Sequence, residues 1–235
     1  MCDQDRDSSS AHARPAATPS SGPTIVADRA ARHTGKLIAL EGGDGSGKST
    51  HARLLQQWLA DRGFVVCSTF EPGDTPLGQT IRRLVLHGEL PICPRAETLL
   101  YAADKAQHME DVIVPALRAG QVVICDRYVD SAIAYQGAGR DIGADQVAQV
   151  NWWAVGDLRP DLTIVLDVPV DQGVGQMAEL DRIESAGADF HRRVRQFFLD
   201  LAAADPQRYL VVDRRAGVDQ VSAQITARVT QLLQE

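Results

Sequence analysis

The chain has 235 residues, an ordinary apolar fraction and a net charge of −7, which is enough for one α/β domain with a buried core. The acidic balance speaks against a surface built to neutralise a nucleic-acid backbone, so no nucleic-acid partner is expected, although a local basic pocket for a few phosphates is compatible with it. No run of about 18 uninterrupted apolar residues occurs, so no membrane partner is expected either.

Residues 1–35 are rich in Ser, Ala, Pro, Asp and Arg without apolar periodicity, and such a segment cannot bury enough surface to offset the entropy of ordering it. A disordered tail is expected there, lacking the apolar core of a secretory signal and carrying Asp3, Asp5 and Asp7 against an organellar transit peptide. The domain is expected over 36–235. From Lys36 onward short β-type runs alternate with helical ones, the pattern of a parallel sheet covered by helices. Strands are expected over 37–41, 64–70, 122–125, 162–168 and 209–212. Helices are expected over 48–62, 77–86, 94–119 (one long or broken element) and 144–155, and at the C-terminus with Val218, Val221, Ile225, Val229 and Leu232 on one face. Five strands suit a single doubly wound sheet. Cys2, Cys67, Cys93 and Cys125 are scattered, with no C-x-x-C pair, and read as reduced thiols of a cytoplasmic protein. Trp152 and Trp153 lie in an amphipathic run and are expected in the core.

The string Gly42-Gly43-Asp44-Gly45-Ser46-Gly47-Lys48-Ser49 matches G-x-x-x-x-G-K-[ST] directly after a strand and before a helix, with Thr50 following. Glycines let backbone N–H groups point inward around an anion, and the first helical turn leaves unpaired donors facing the same place. ATP is therefore expected on residues 42–50, with Lys48 as the charge on its β- and γ-phosphates and Ser49 as a ligand of Mg²⁺. The motif alone does not separate a kinase from a GTPase or a motor. No N-K-x-D or T-K-x-D string for reading guanine is found. Asp126-Arg127-Tyr128 follows a buried strand, at the carboxyl end of the sheet where open α/β folds bind ligands. Arg127 there can grip a second phosphate bidentately, and Asp126 joins Ser49 as an expected metal ligand. On the helix over 94–119, Glu97, Tyr101, Lys105 and His108 share one face, expected to line a cleft, and Leu99, Ala103 and Ala106 the opposite, expected to pack.

In this order Gly42 to Thr50, Glu71-Pro72-Gly73, Tyr101-Ala102-Ala103, Asp126-Arg127-Tyr128, Ala134-Tyr135-Gln136-Gly137 and Leu180-Asp181-Arg182-Ile183-Glu184 resemble the successive motifs of bacterial thymidylate kinases, from Lys36 to the C-terminus. The resemblance implies a P-loop nucleoside monophosphate kinase fold with a short lid around 172–187, and transfer of the γ-phosphoryl group of ATP to dTMP. It implies that Arg127 holds the dTMP phosphate, that Asp44 accepts from the 3′-hydroxyl and that Glu71 organises acceptor and metal. Tyr101 would stack on the base with Lys105 beside it, and Tyr135 and Gln136 would close on sugar and base. It also implies a homodimer. Kinase action on another or a modified pyrimidine deoxynucleotide, or a nucleotide-binding module without catalysis, are the alternatives.

Departures fall in the binding positions. Phe70 stands where the family usually has Arg, Asp74 where a second Gly is common, Lys105 in place of Arg and Ala132 in place of a frequent Ser. A lysine cannot reproduce the planar fork of arginine. The stretch 173–178 lacks the arginines usual in the lid. Arg182 is therefore expected to supply charge at the transferred group, with Arg192, Arg193 and Arg195 on the following helix as substitutes.

Overall fold

The structure, a computed structural model, describes residues 33–88, 90–173 and 182–234. The tail up to residue 32, and the lid residues 174–181 with the departures in them, lie outside the described residues.

Five parallel strands, β1 (Lys36–Glu41), β2 (Val66–Phe70), β3 (Val122–Asp126), β4 (Leu162–Asp167) and β5 (Tyr209–Asp213), form one sheet in the order β2-β3-β1-β4-β5. Their side chains alternate between two cores, as the two-residue period of a strand requires. Leu37, Ala39, Val123 and Cys125 pack on one face with Met109, Ile113 and Leu117. Ile38, Leu40, Ile124, Ile164 and Leu166 pack on the other with Leu55, Leu59, Val221, Ile225 and Val229. Burial on both faces explains why these strands read as continuous apolar runs. The chain leaves β1 toward neighbours on opposite sides, β3 and β4, which opens a crevice at the carboxyl end of the central strand.

The helices α1 (Lys48–Ala60), α2 (Pro76–His87), α3 (Pro94–His108), α4 (Val114–Arg118), α5 (Val129–Ala132), α6 (Ala144–Ala154), α7 (Ala188–Ala204) and α8 (Val218–Gln234) cover the sheet. The element expected over 94–119 is α3 and α4 joined through a π-helical turn at Met109–Ile113. A second π-helical stretch, Ile133–Gly139, continues α5, and no local sequence signal announces either. The start of α2 is legible: Thr75 accepts the Gly78 N–H at 2.9 Å, and Pro76 opens the first turn.

Three expectations about faces are corrected. On α3 the polar face reaches a cleft through Tyr101 and Lys105 as expected, but it is also the buried face, with Glu97, Lys105 and His108 at 2% exposure or less, while Leu99, expected to pack, is 59% exposed; the charged groups find partners on other elements, which the helical period cannot reveal. Trp152 packs against the core and edge-on to Tyr128, whereas Trp153 is exposed. On α8, Val221, Ile225, Val229 and Leu232 are buried and Val218 is not.

Candidate active site

β1 delivers the phosphate loop into the crevice. Gly42 has φ +129°, and a Cβ there would lie 2.4 Å from the Leu166 carbonyl oxygen, so only glycine permits the loop to turn against β4. Lys48, the first residue of α1, folds back, and its ammonium donates to the carbonyls of Gly42 (3.1 Å) and Gly43 (2.9 Å). Burial, with the neighbouring Arg127, pulls its pKa down to about 8, against Asp44 and Asp126. Ser49 donates its hydroxyl to Asp126 at 2.8 Å, so P-loop helix and β3 end meet through one hydroxyl and one carboxylate. These hard oxygen donors suit Mg²⁺.

A cleft of about 560 Å³ runs along this loop, lined by Asp44, Gly45, Gly47, Lys48, Ser49 and Thr50 on one side and Phe70, Glu71, Asp126 and Arg127 on the other. A second cleft of about 140 Å³ adjoins it, lined by Tyr101, Lys105, Ala132, Tyr135, Gln136, Ile183 and Glu184 among others. Asp44, Glu71, Arg82 and Arg127 line both.

Arg127 is the centre of the shared wall. It has φ +69°, a left-handed backbone that is uncommon outside glycine. Its guanidinium pairs with Asp44, donates to the Gly42 carbonyl (3.3 Å) and to the Ser131 hydroxyl (3.1 Å), and lies 5.0 Å from the Tyr135 ring centroid. Tyr135 donates its hydroxyl to the other Asp44 oxygen at 2.7 Å. Burial alone would raise Asp44, but Arg127 and Lys48 outweigh it and hold the carboxyl below its ordinary value. The pair is an ionised clamp set between the two clefts.

Glu71 heads a second, fully buried node. It pairs with Lys105, and its other oxygen bonds His108 Nδ1 at 2.9 Å. Burial would raise it, and Lys105 with His108 holds it low. Burial likewise opposes the Lys105 charge, and Glu71 restores it. Glu71, His108 and Cys125 place ligand atoms within 4.8 Å of one another, but both carboxylate oxygens already carry partners, so this donor set is spent on the ion pair. His108 Nε2 bonds Thr69 at 2.5 Å, and Thr69 donates to Asp74 at 2.5 Å, giving that departure a place in the same network.

The other expected residues are placed less centrally. Gln136 donates to Glu97 at 3.1 Å, and Tyr101 is half-buried on the second cleft. The catalytic part expected of Arg182 has no geometric support: its guanidinium is held by Glu97 (2.5 Å) and the Val85 carbonyl (3.0 Å) and lines neither cleft. The expected substitutes are also committed, Arg195 to Asp167 at 2.6 and 2.8 Å, Arg193 to the Gly139 carbonyl at 2.7 Å and Arg192 to Asp189 on the surface. The sequence reading missed two residues. Arg82 of α2 donates to the Pro72 carbonyl at 2.8 Å, stands over Phe70 with 5.8 Å to the ring centroid, and lines both clefts. Glu41, the residue before the motif, is completely buried with its pKa pushed up to about 7 by burial and Asp130.

The family model described as thymidylate kinase matches residues 40–225. The chain belongs to the thymidylate kinase family. It is 57% identical to the thymidylate kinase of Cutibacterium acnes (strain DSM 16379 / KPA171202), over 85% of this chain and 98% of that protein. It is 50% identical to that of Clavibacter sepedonicus, over 85% and 97%. The crystal structure of thymidylate kinase from Ehrlichia chaffeensis superposes with a TM-score of 0.68 at 31% identity, covering 86% of this chain and 99% of that one. The two chains thus share one fold.

Proposed function

We infer that the chain is an ATP-dependent phosphotransferase that passes the γ-phosphoryl group of ATP to dTMP, giving dTDP and ADP and so feeding dTTP synthesis. The observation that carries this reading is the shared wall: a phosphate-loop cleft and an acceptor cleft meet at Asp44, Glu71, Arg82 and Arg127. A group bound by its phosphates in one is presented to an acceptor in the other.

ATP is read onto residues 42–50, with Lys48 giving up its contacts to the Gly42 and Gly43 carbonyls for phosphate oxygens. Ser49 and Asp126 would hold Mg²⁺, which supplies charge neutralisation at the β- and γ-phosphates. Arg127 would exchange Asp44 for the dTMP phosphate. That frees Asp44 and Tyr135 toward the sugar. Tyr101 would stack on the base, with Lys105 and Gln136 at its edge. The acceptor phosphate is an anion at neutral pH, so no strong general base is needed, and the residues act by positioning and by charge stabilisation. Arg82 supplies a cation beside Phe70, the position where arginine is usual. A cytoplasmic setting is supported by the free thiols of Cys67, Cys93 and Cys125; among the described residues no helix is long and apolar enough to cross a membrane. A homodimer is supported by Leu99 on α3 and Trp153 on α6, which remain 59% and 75% exposed on two helices packed against each other.

The test is a coupled ADP-release assay across nucleoside monophosphates with Mg-ATP. dTMP is expected as the best acceptor. AMP or GMP as best acceptor would overturn the thymidylate reading and leave the kinase reading, and no transfer to any monophosphate would overturn both.

A further inference from the structure

β1 ends in a carboxylate that the reaction as described does not use. Glu41 is completely buried, and a charge in such a place is retained only where it is bonded. Its Oε1 accepts the backbone N–H groups of Tyr128 (2.8 Å) and Ser131 (3.2 Å), and its Oε2 accepts the Ser131 hydroxyl at 2.5 Å. The Ser131 hydroxyl in turn accepts from Arg127 Nη1 at 3.1 Å. A hydroxyl has one proton, and here it is committed to Glu41. The lone pairs therefore face the guanidinium.

The backbone of Arg127 is fixed by the same strand end. Its own N–H donates to the Leu40 carbonyl at 2.9 Å, and the next N–H, that of Tyr128, donates to Glu41. The left-handed turn at Arg127, φ +69°, is strained for a residue with a Cβ. Bonds from two consecutive residues of β1 hold it on both sides. The same strand continues directly into Gly42, so phosphate loop and acceptor arginine are referenced to one rigid element.

We propose that Glu41 is a positioning residue, which acts through the Ser131 hydroxyl and the Tyr128 N–H to aim the Arg127 guanidinium at the acceptor phosphate. This rests on the acceptor role of Arg127 given above. It separates acceptor binding from ATP binding: Lys48 and the loop glycines do not depend on the Ser131 hydroxyl, whereas the direction of Arg127 does.

The test uses the full chain at mildly alkaline pH, where Glu41 is a carboxylate, with whichever monophosphate the wild type phosphorylates best; the wild-type screen thus judges the functional reading separately from the variants. Ser131→Ala leaves both backbone bonds to Glu41 and is expected to raise KM for the monophosphate on the order of tenfold, with KM for ATP within twofold. Ser131→Thr, which keeps the hydroxyl, is expected to restore it. Glu41→Gln puts a donor where the Ser131 proton points and is expected to act in the same direction, the double variant being no worse than the worse single one, because both break one chain of bonds. Ser131→Ala with wild-type acceptor KM, an equal rise in both KM values, or effects that multiply in the double variant would each overturn the proposal. If Glu41→Gln does not fold, the Ser131→Ala and Ser131→Thr pair decides alone.

Discussion

Asp104 on α3 is 1% exposed. Its Oδ1 accepts the Gly73 N–H at 3.1 Å, while Oδ2 has no hydrogen-bond partner among the described residues. Burial, then the Glu71 carboxylate, pushes its pKa from 3.8 to about 6, against Lys105, His108 and the Gly73 N–H. Because the folded pKa lies above the unfolded one, the native state binds the proton more tightly. Its contribution to stability is therefore greatest below pH 3.8, is lost as pH rises toward about 6, and stays lost above that. A shift of about two units at about 1.4 kcal/mol each is a cost of about 3 kcal/mol at neutral pH. Asp104→Asn keeps the acceptor for Gly73 and removes the charge. An unpaired amide group retains about 1 kcal/mol of that cost, so the variant is expected to be about 2 kcal/mol more stable than the wild type near pH 8, with the advantage shrinking to about zero near pH 4.5. Urea unfolding of both proteins at the two pH values measures the difference. A ΔΔG that does not depend on pH, or that grows toward acid, would refute the reasoning.

Lys48→Ala is expected to weaken ATP binding by about 1.5–3 kcal/mol and to abolish transfer, with a melting temperature no lower than wild type, since the unliganded protein holds that ammonium at a cost, its pKa drawn down to about 8; normal turnover in the folded variant would remove the phosphate loop from the mechanism. Lys105→Met strands the Glu71 carboxylate and is expected to cost about 3–5 kcal/mol, most of it recovered by adding Glu71→Gln; an equal loss in the double variant, by urea midpoint, would show that the pair is not coupled. Arg182→Ala is expected to slow single-turnover transfer by less than about tenfold, because Arg182 pins the segment 182–187 to α3 through Glu97; a fall of about 10³ or more, the size of an arginine finger, would show that it reaches the phosphoryl group.

The sheet was legible because its three central strands are buried on both faces and bounded by glycine and by helical periods, so apolar runs such as 37–41 and 162–168 could be read as strands nearly to their ends. The phosphate loop was legible because its geometry demands glycine at fixed spacing, most strictly at Gly42, where the Leu166 carbonyl leaves no room for a side chain. What escaped was set by distant partners. The helical period placed Glu97, Lys105 and His108 together, but Glu71, 34 residues before Lys105 in the chain, makes the burial of Lys105 and His108 tolerable, and Gln136 and Arg182 that of Glu97. The π-helical turns at Met109–Ile113 and Ile133–Gly139 depend on packing rather than composition. Glu41 stands one place outside a motif and bonds residues 87 and 90 positions away.

The departures from the family pattern read differently once the neighbours are known. Phe70 removes a guanidinium from the chain position before Glu71, but Arg82 reaches over its ring from α2 and brings one back to the wall shared by the two clefts. Asp74 adds a carboxylate, and it is met by Thr69 and so joined through His108 to Glu71. Lys105 lacks a fork, and its single ammonium is paired with the buried Glu71 carboxylate. In each case a charge lost or gained at one position is balanced by a contact from another element. If the cleft beside the phosphate loop takes the acceptor, its charges come from several elements at once, and changes in substrate preference should be sought in Arg82 and Lys105 before the phosphate loop.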